Sequence, residues 1–424
     1  MDLTVEGKVY LNGNLNNCCI GIEDGKITKI KKILKSENHK YFGKNLIIPA
    51  GIDAHVHFRD PGMTHKEDFS TGSKSAAFGG ISCVFDMPNT IPQTTTVENL
   101  KDKIRMAERK SYVDFGLYSG ITNNNINELS ELEKYCNGFK LYLGGSTNSM
   151  AFDNENLKLL KDLNFNDKPI LIHAEDKECL DDNRIIEKNL VDHIKSRPYQ
   201  CEKKALNDII KTFNENNLKI HICHISSSVG INLLKSRDIT CGVTPHHLFL
   251  DIENKKRNQS FFKTNPPIRQ NFERDYLFKC LQNKNIDIIE SDHAPHTIDE
   301  KNIEFDNSPS GVPGVETMIP LFLFLANKGI LSINRIVEIF CEKPSEILNI
   351  PKGKIEIGRD ADLMIVDLKK TCKIKEERLH YKCGWTPFEN FYAVFPKDVF
   401  IRGEHLIRDS EIIVNKGFGN FIGG

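Results

Sequence analysis

A chain of 424 residues with a net charge of −1 and 39% hydrophobic side chains has room for one large domain plus a smaller one and can bury a substantial core. That charge leaves no electrostatic footprint for nucleic acid or an anionic membrane, and no run of about 18 apolar residues is present to span a bilayer. The N-terminal segment Met1-Asp2-Leu3-Thr4-Val5-Glu6 lacks the charged-then-apolar order of a signal peptide, so a cytoplasmic protein is expected.

The first fifty residues alternate short β-like runs with turns. Lys8-Val9-Tyr10-Leu11 precedes Asn12-Gly13, and Cys19-Ile20-Gly21-Ile22 precedes Asp24-Gly25; both dipeptides are strong hairpin signals. The same texture returns in Ala361–Asp367 and Asp398–Gly403. Each piece alone has few strands and little core, so the two ends are expected to join in one small β domain, read as a β-sandwich from residues 1–48 and 350–424.

Between them, residues 49–349 alternate strands with helical stretches. The candidate strands are Leu46–Ile52, Ile81–Asp86, Val113–Ser119, Gly138–Leu143, Pro169–His173, Lys219–His224, Ile239–Val243 and Ile286–Ser291. Most are apolar without alternation, as strands buried on both faces are. Amphipathic stretches intervene at Val97–Lys110, Ile126–Tyr135, Glu202–Glu215 and Phe272–Gln282, and Pro320–Asn327 with Ile333–Cys341 closes the series. Eight βα units make an α/β fold of the (β/α)8 barrel type. An open doubly wound sheet is the alternative, weakened by the lack of a GxGxxG after the first strand.

Twelve cysteines are scattered without a CxxC pair. Cys83, Cys223 and Cys241 fall in apolar runs, where cysteine acts as a small hydrophobe. A cytosolic setting argues against structural disulfides. Lys255-Lys256-Arg257-Asn258 and Gly144-Gly145-Ser146-Thr147-Asn148-Ser149 read as loops, the second as a flexible loop rather than a lid.

Barrel active sites lie at the C-terminal ends of the strands, and here those ends carry the chemistry. His55 and His57 stand two apart, on one face of a strand, followed by Arg59. Later ends deliver Asp86-Met87-Pro88-Asn89, His173-Ala174-Glu175, His221-Ile222-Cys223-His224, Thr244-Pro245-His246-His247 and Asp292-His293-Ala294-Pro295-His296. Nitrogen and oxygen ligands without thiolate suit a catalytic zinc site, with other divalent ions possible. Lys140 sits inside an apolar strand. It either snorkels to solvent or, as a buried amine among cations, takes up carbon dioxide and bridges two metals as a carbamate.

His55-Val56-His57-Phe58-Arg59-Asp60-Pro61-Gly62, Met87-Pro88-Asn89-Thr90, Asn265-Pro266-Pro267 and Asp292-His293-Ala294-Pro295-His296 resemble the signature segments of the class I dihydroorotases of the amidohydrolase superfamily. The resemblance runs from about Val5 to Phe400. It implies a distorted barrel and the reversible cyclisation of N-carbamoyl-L-aspartate to (S)-dihydroorotate, the third step of pyrimidine synthesis. Position by position, it implies that His55, His57 and Asp292 hold one zinc ion, that His173 and His224 hold a second, and that N6-carboxylated Lys140 bridges them. Asp292 would be the general acid and base. The substrate would meet Arg59, Asn89, Asn265 and His296 at its carboxylate, His57 beside the metal, and the Ser310-Gly311 backbone at its ring amide. Some class I members form homo-oligomers or associate with aspartate transcarbamoylase; no surface for either is evident in the sequence.

Other histidines are expected to play lesser parts: His221 outside the barrel lumen, His246 and His247 as supports, His293 facing away from Asp292, and His65 near a helix start. The alternatives are another cyclic amidohydrolase (allantoinase, dihydropyrimidinase or hydantoinase) or a non-catalytic scaffold. Arg59 argues for a substrate bearing a carboxylate, and the full ligand set argues against a scaffold.

Overall fold

The computed structural model describes residues 1–144, 150–161, 163, 165, 167–213, 218–235, 237–253 and 258–423; the Gly145–Ser149 part of the candidate lid and Lys255–Arg257 lie outside these. The chain opens with β1 (Leu3–Leu11), β2 (Asn14–Glu23), β3 (Lys26–Lys31) and β4 (His39–Pro49). Both expected hairpin turns form: Asn12 and Gly13 have φ of 46° and 83°, and Asp24 and Gly25 have 49° and 74°. Two successive positive φ values are what a two-residue turn needs to follow the strand twist.

The barrel strands are β5 (Gly51–Val56), β6 (Ile81–Asp86), β7 (Asp114–Ile121), β8 (Gly138–Leu143), β10 (Ile170–Ala174), β11 (Ile220–Ile222), β12 (Thr240–Val243) and β13 (Ile288–Ile289), with the short β9 (Ala151–Phe152) paired to the rim of β8. They follow one another in parallel from β5 to β13. A parallel bridge between Val56 and His293 closes the ring, aided by Asp53 Oδ1, which accepts from Ser291 N at 3.1 Å. Ile52, Ala54, Phe85, Tyr118, Leu171, Cys223 and Ile288 fill the lumen, while Val84, Phe115, Leu141 and Ile172 join the outer core.

The expected first strand, Leu46–Ile52, divides between two sheets. Leu46–Pro49 ends β4 of the small sheet, and the barrel strand runs from Gly51 to Val56, so His55 lies within it rather than beyond it. Two apolar runs joined end to end offer no composition signal for the break; Pro49, which cannot donate to a ladder, marks it.

The chain ends do join. β14 (Leu363–Val366) pairs with β4 and with β17 (Asp398–Ile401), followed by β18 (Glu404–Arg408) and β19 (Glu411–Ile412), in one eight-stranded sheet. Val5, Ile20, Ile27, Ile47, Leu363 and Phe400 form its core. Between β14 and β17, the two-stranded ladder of β15 (Cys372–Lys373) and β16 (Tyr392–Ala393) brackets Trp385. The indole is fully buried and donates to His296 O at 2.7 Å.

The expectation about disulfides needs correction. Cys179 and Cys201 are bonded, because helix Lys177–Asp182 packs on helix Tyr199–Phe213 and brings the two Cα atoms to 5.3 Å.

Candidate active site

The strand ends converge on a cleft of about 460 Å³ lined by His55, His57, Arg59, Asn89, His173, His224, Asn265, Asp292, His296, Ser310 and Gly311, with Tyr142 among the further lining residues. Of the twelve candidate site residues named from the sequence, only Lys140 lies behind this lining. Lys140 is fully buried on the lumen face of β8, with Nζ 3.1 Å from Cys223 Sγ. It does not reach solvent, which excludes the snorkelling alternative.

His55 Nε2 and His57 Nε2 are 3.3 Å apart, and Asp292 Oδ1 lies 3.3 and 3.2 Å from them. Each ring is held from behind. His55 Nδ1 faces Glu290 Oε2 at 3.3 Å, and His57 Nδ1 faces Asn89 Oδ1 at 2.7 Å. Both outer nitrogens therefore donate, leaving two Nε2 lone pairs and a carboxylate oxygen crowded together. Crowded lone pairs repel unless a cation stands among them, so this trio fits a metal ion. Burial pushes His55 down to about 4, with the Lys140 charge adding to it, which keeps the imidazole in its ligand form. Asp292 is held below the usual carboxylate range: burial opposes ionisation, but His55 and His57 outweigh it.

A second group follows the same plan. His173 Nε2 donates to Glu175 Oε2 at 2.9 Å, and Arg197 Nε clamps Glu175 Oε1 at 3.2 Å. His173 Nδ1 is thereby turned to His224 Nε2, 3.2 Å away. His224 Nδ1 is buried without a hydrogen-bond partner among the described residues. Burial lowers both rings, His224 furthest, and the Lys140 charge contributes to each. These nitrogens fit a second cation, with Lys140 on the lumen wall beside them.

Arg59 occupies the opposite side. It is buried; its Nε donates to Pro295 O at 3.3 Å, and one terminal nitrogen lies 3.3 Å from His296 Nε2. Asp86 Oδ1 accepts from Phe58 N at 2.7 Å and pins the turn that carries Arg59. Arg59, His224 and Asp292 have φ of 60°, 38° and 44°, a left-handed conformation costly for residues with a Cβ. At these three points strand alternation no longer governs where the side chain goes. Asn89 spends its Oδ1 on His57, and Asn265 Oδ1 is buried without a partner among the described residues. Gly311, at φ 138°, lies so close to Ala294 O that a Cβ would stand 2.4 Å from it. Its N–H is spent on Lys263 O at 2.9 Å.

His221 contradicts its sequence reading. It sits beside Leu171 in the ladder and two residues from Cys223, both lumen residues, and its Nδ1 meets Thr240 Oγ1 at 2.9 Å. β11 ends at Ile222, and His224 turns inward on its own φ, so the two rings reach the lumen by different routes. His247 is structural, bonded to Thr244 Oγ1 at 2.8 Å and Pro266 O at 3.2 Å. His293 turns to Gly314 N at 3.1 Å, and His65 is exposed ahead of helix Phe69–Phe78. The roles of Glu290, Glu175 and Arg197 escaped the sequence reading. Glu290 and Glu175 each stand two residues from a candidate ligand, the spacing that singled out His55 and His57.

Residues 46–405 match the model of the Amidohydrolase family. The chain belongs to the amidohydrolase family. It is 37% identical to the dihydroorotase of Methanosarcina acetivorans over 440 aligned positions, covering 98% of this chain and 94% of that protein. With the dihydroorotase of Thermoplasma volcanium the identity is 39%, covering 100% and 98%. Among solved structures, an L-hydantoinase (dihydropyrimidinase) from Arthrobacter aurescens superposes with a TM-score of 0.95 at 27% identity over the full length of both chains. A dihydropyrimidinase from Brevibacillus agri shares the fold, with a TM-score of 0.89 at 23% identity, covering 100% and 98%. Among the described residues no helix is long and apolar enough to cross a membrane.

Proposed function

We propose that this chain is a dihydroorotase, interconverting N-carbamoyl-L-aspartate and (S)-dihydroorotate in pyrimidine synthesis in the cytoplasm. The observation that carries the reading is a buried guanidinium facing the imidazole and carboxylate cluster across one cleft. A cyclic amide whose ring bears a carboxylate needs both. Guanidinium matches carboxylate with two parallel hydrogen bonds, and burial of Arg59 strengthens them.

His55, His57 and Asp292 hold one zinc ion in this reading, and His173 and His224 hold another, with carboxylated Lys140 between them. Such ions supply a water of lowered pKa and a polarised carbonyl. The protein does the rest. Arg59 and His296 bind the ring carboxylate, Asn265 and the Asn89 amide fix the ring, and the Pro309–Gly311 wall limits its tilt. In ring opening Asp292 takes the proton of the attacking water and delivers it to the departing amide nitrogen as the C–N bond breaks. In closure the carbamoyl nitrogen attacks the β-carboxylate and Asp292 runs the same transfers backwards.

The hydantoinase reading keeps one specific support, the TM-score of 0.95 with the Arthrobacter enzyme. Offering the purified, metal-loaded protein dihydroorotate, dihydrouracil, hydantoin and allantoin at mildly alkaline pH separates the two. Ring opening of dihydroorotate alone is expected; turnover of dihydrouracil or hydantoin without dihydroorotate assigns the chain to the sister activity.

A further inference from the structure

Lys66 lies in the loop between Arg59 and helix Phe69–Phe78, with its side chain 13% exposed. Its Nζ stands 3.1 Å from His296 Nδ1 and 3.0 Å from Glu300 Oε1. Glu300 is itself fixed: its Oε2 accepts from Thr297 N at 3.0 Å while Thr297 Oγ1 accepts from Glu300 N at 3.2 Å, a capping box that opens helix Ile298–Lys301. The ammonium is thus anchored beside the ring.

An ammonium has three donors and no acceptor, so His296 Nδ1 must offer its lone pair. On a neutral imidazole the proton then sits on Nε2. That nitrogen faces the Ser310 carbonyl oxygen at 3.1 Å, an acceptor, in agreement. The rival partner of Nδ1, Glu300 Oε2, lies at 3.6 Å, beyond hydrogen-bond range. Burial pushes His296 down to about 3, with Arg59, Lys66 and Lys301 contributing against the opposing pull of Glu300, so the ring is neutral. The Arg59 nitrogen 3.3 Å from Nε2 is also a donor. Two donors cannot bond each other, which leaves the Arg59 N–H for an incoming anion, while the Nε2–H, on the cleft side beside Ser310 O, is shared between that carbonyl and the anion.

We propose that Lys66 is a positioning residue that locks His296 in the Nε2–H form, so that the substrate carboxylate meets N–H donors from both Arg59 and His296. The alternative tautomer would present a lone pair to the anion. This inference rests on the dihydroorotase reading, because it requires a carboxylate at this end of the substrate.

The test combines kinetics with ¹⁵N NMR of histidine-labelled, zinc-loaded protein, using His296→Asn to assign the ring signals. Wild type is expected to show the Nε2–H pattern, whether or not the Lys66 variants fold; an Nδ1–H pattern overturns the proposal. Lys66→Met should raise KM for dihydroorotate roughly tenfold or more, with kcat within about threefold and unchanged zinc content. Lys66→Arg, which keeps the donor, should restore most of the loss. On a His296→Ala background Lys66→Met should add nothing; a further undiminished rise would mean that Lys66 does not act through His296. If wild type turns over dihydroorotate while Lys66→Met leaves KM within about twofold, the proposal fails and the assigned activity stands. If wild type does not turn over dihydroorotate, the activity fails and this inference falls with it.

Discussion

On one wall of the cleft, His55, His57 and His173 each give a nitrogen to an oxygen behind the ring, from Glu290, Asn89 and Glu175 in turn, and aim a lone pair at the cleft. On the facing wall His296, in the proposed tautomer, has the reverse arrangement: Lys66 stands behind it at Nδ1, and Nε2 lies on the cleft side beside Ser310 O. The residue type is the same and burial is the same, but the partner behind the ring decides what the cleft offers. Lone pairs suit cations and N–H groups suit anions. A histidine in a sequence is therefore half a statement, and its neighbour in space supplies the other half.

Breaking the cation-facing wall should have the largest effect. Lys140→Ala is expected to lower bound zinc from about two equivalents to about one and to cut dihydroorotate turnover by at least about a thousandfold. Atomic emission spectrometry of the dialysed protein measures the first; unchanged stoichiometry would refute the carbamate bridge.

The anion-facing wall should yield a smaller and different loss. Arg59→Met should raise KM about 10- to 100-fold through the missing charged hydrogen bonds while zinc content holds. Loss of zinc in that variant would place Arg59 in the architecture of the metal wall and dissolve the contrast between the two.

The smallest effect concerns stability. His296 ionises at about 3 in the folded chain against an ordinary value of 6.5, chiefly because it is buried. Between those values the unfolded chain carries a proton that the folded chain lacks, so stability falls as pH drops through the window; above it the group contributes nothing. Each pH unit should cost about 1.4 kcal/mol from this one ring. Urea unfolding of zinc-free protein between pH 4.5 and 6.5 should therefore be less pH-dependent in His296→Gln than in wild type. Parallel curves would contradict a neutral His296.

Much of this was legible without coordinates. Apolar strands at repeated spacing announced the barrel, and β6 and β8 fall where the sequence placed them. The Asn12-Gly13 and Asp24-Gly25 turns were readable because local φ preference alone selects them. The break at Pro49 was harder to read, since one apolar run served two sheets. The Cys179–Cys201 bond was also missed: helix packing brings those residues together, and the compartment argument knows nothing of packing. The place of His221 was not legible, since only the register of β11 against Leu171 puts its ring on the lumen side.

By itself, the sequence determined which chemical groups reach one rim: parallel strands of a barrel all end on the same face, so His55, His173, His224 and Asp292 had to meet there. It could not determine the direction of each group at that rim. Arg59, His224 and Asp292 leave their strands with left-handed φ, and contacts from other elements hold those turns: Asp86 at Phe58 N, Glu290 at His224 N, and the Val56–His293 bridge beside Asp292. Nor could it choose a tautomer for His55 or His296, because Glu290 and Lys66 reach those rings from distant parts of the chain. Covalent order set the inventory; the packed fold set which nitrogen carries the proton.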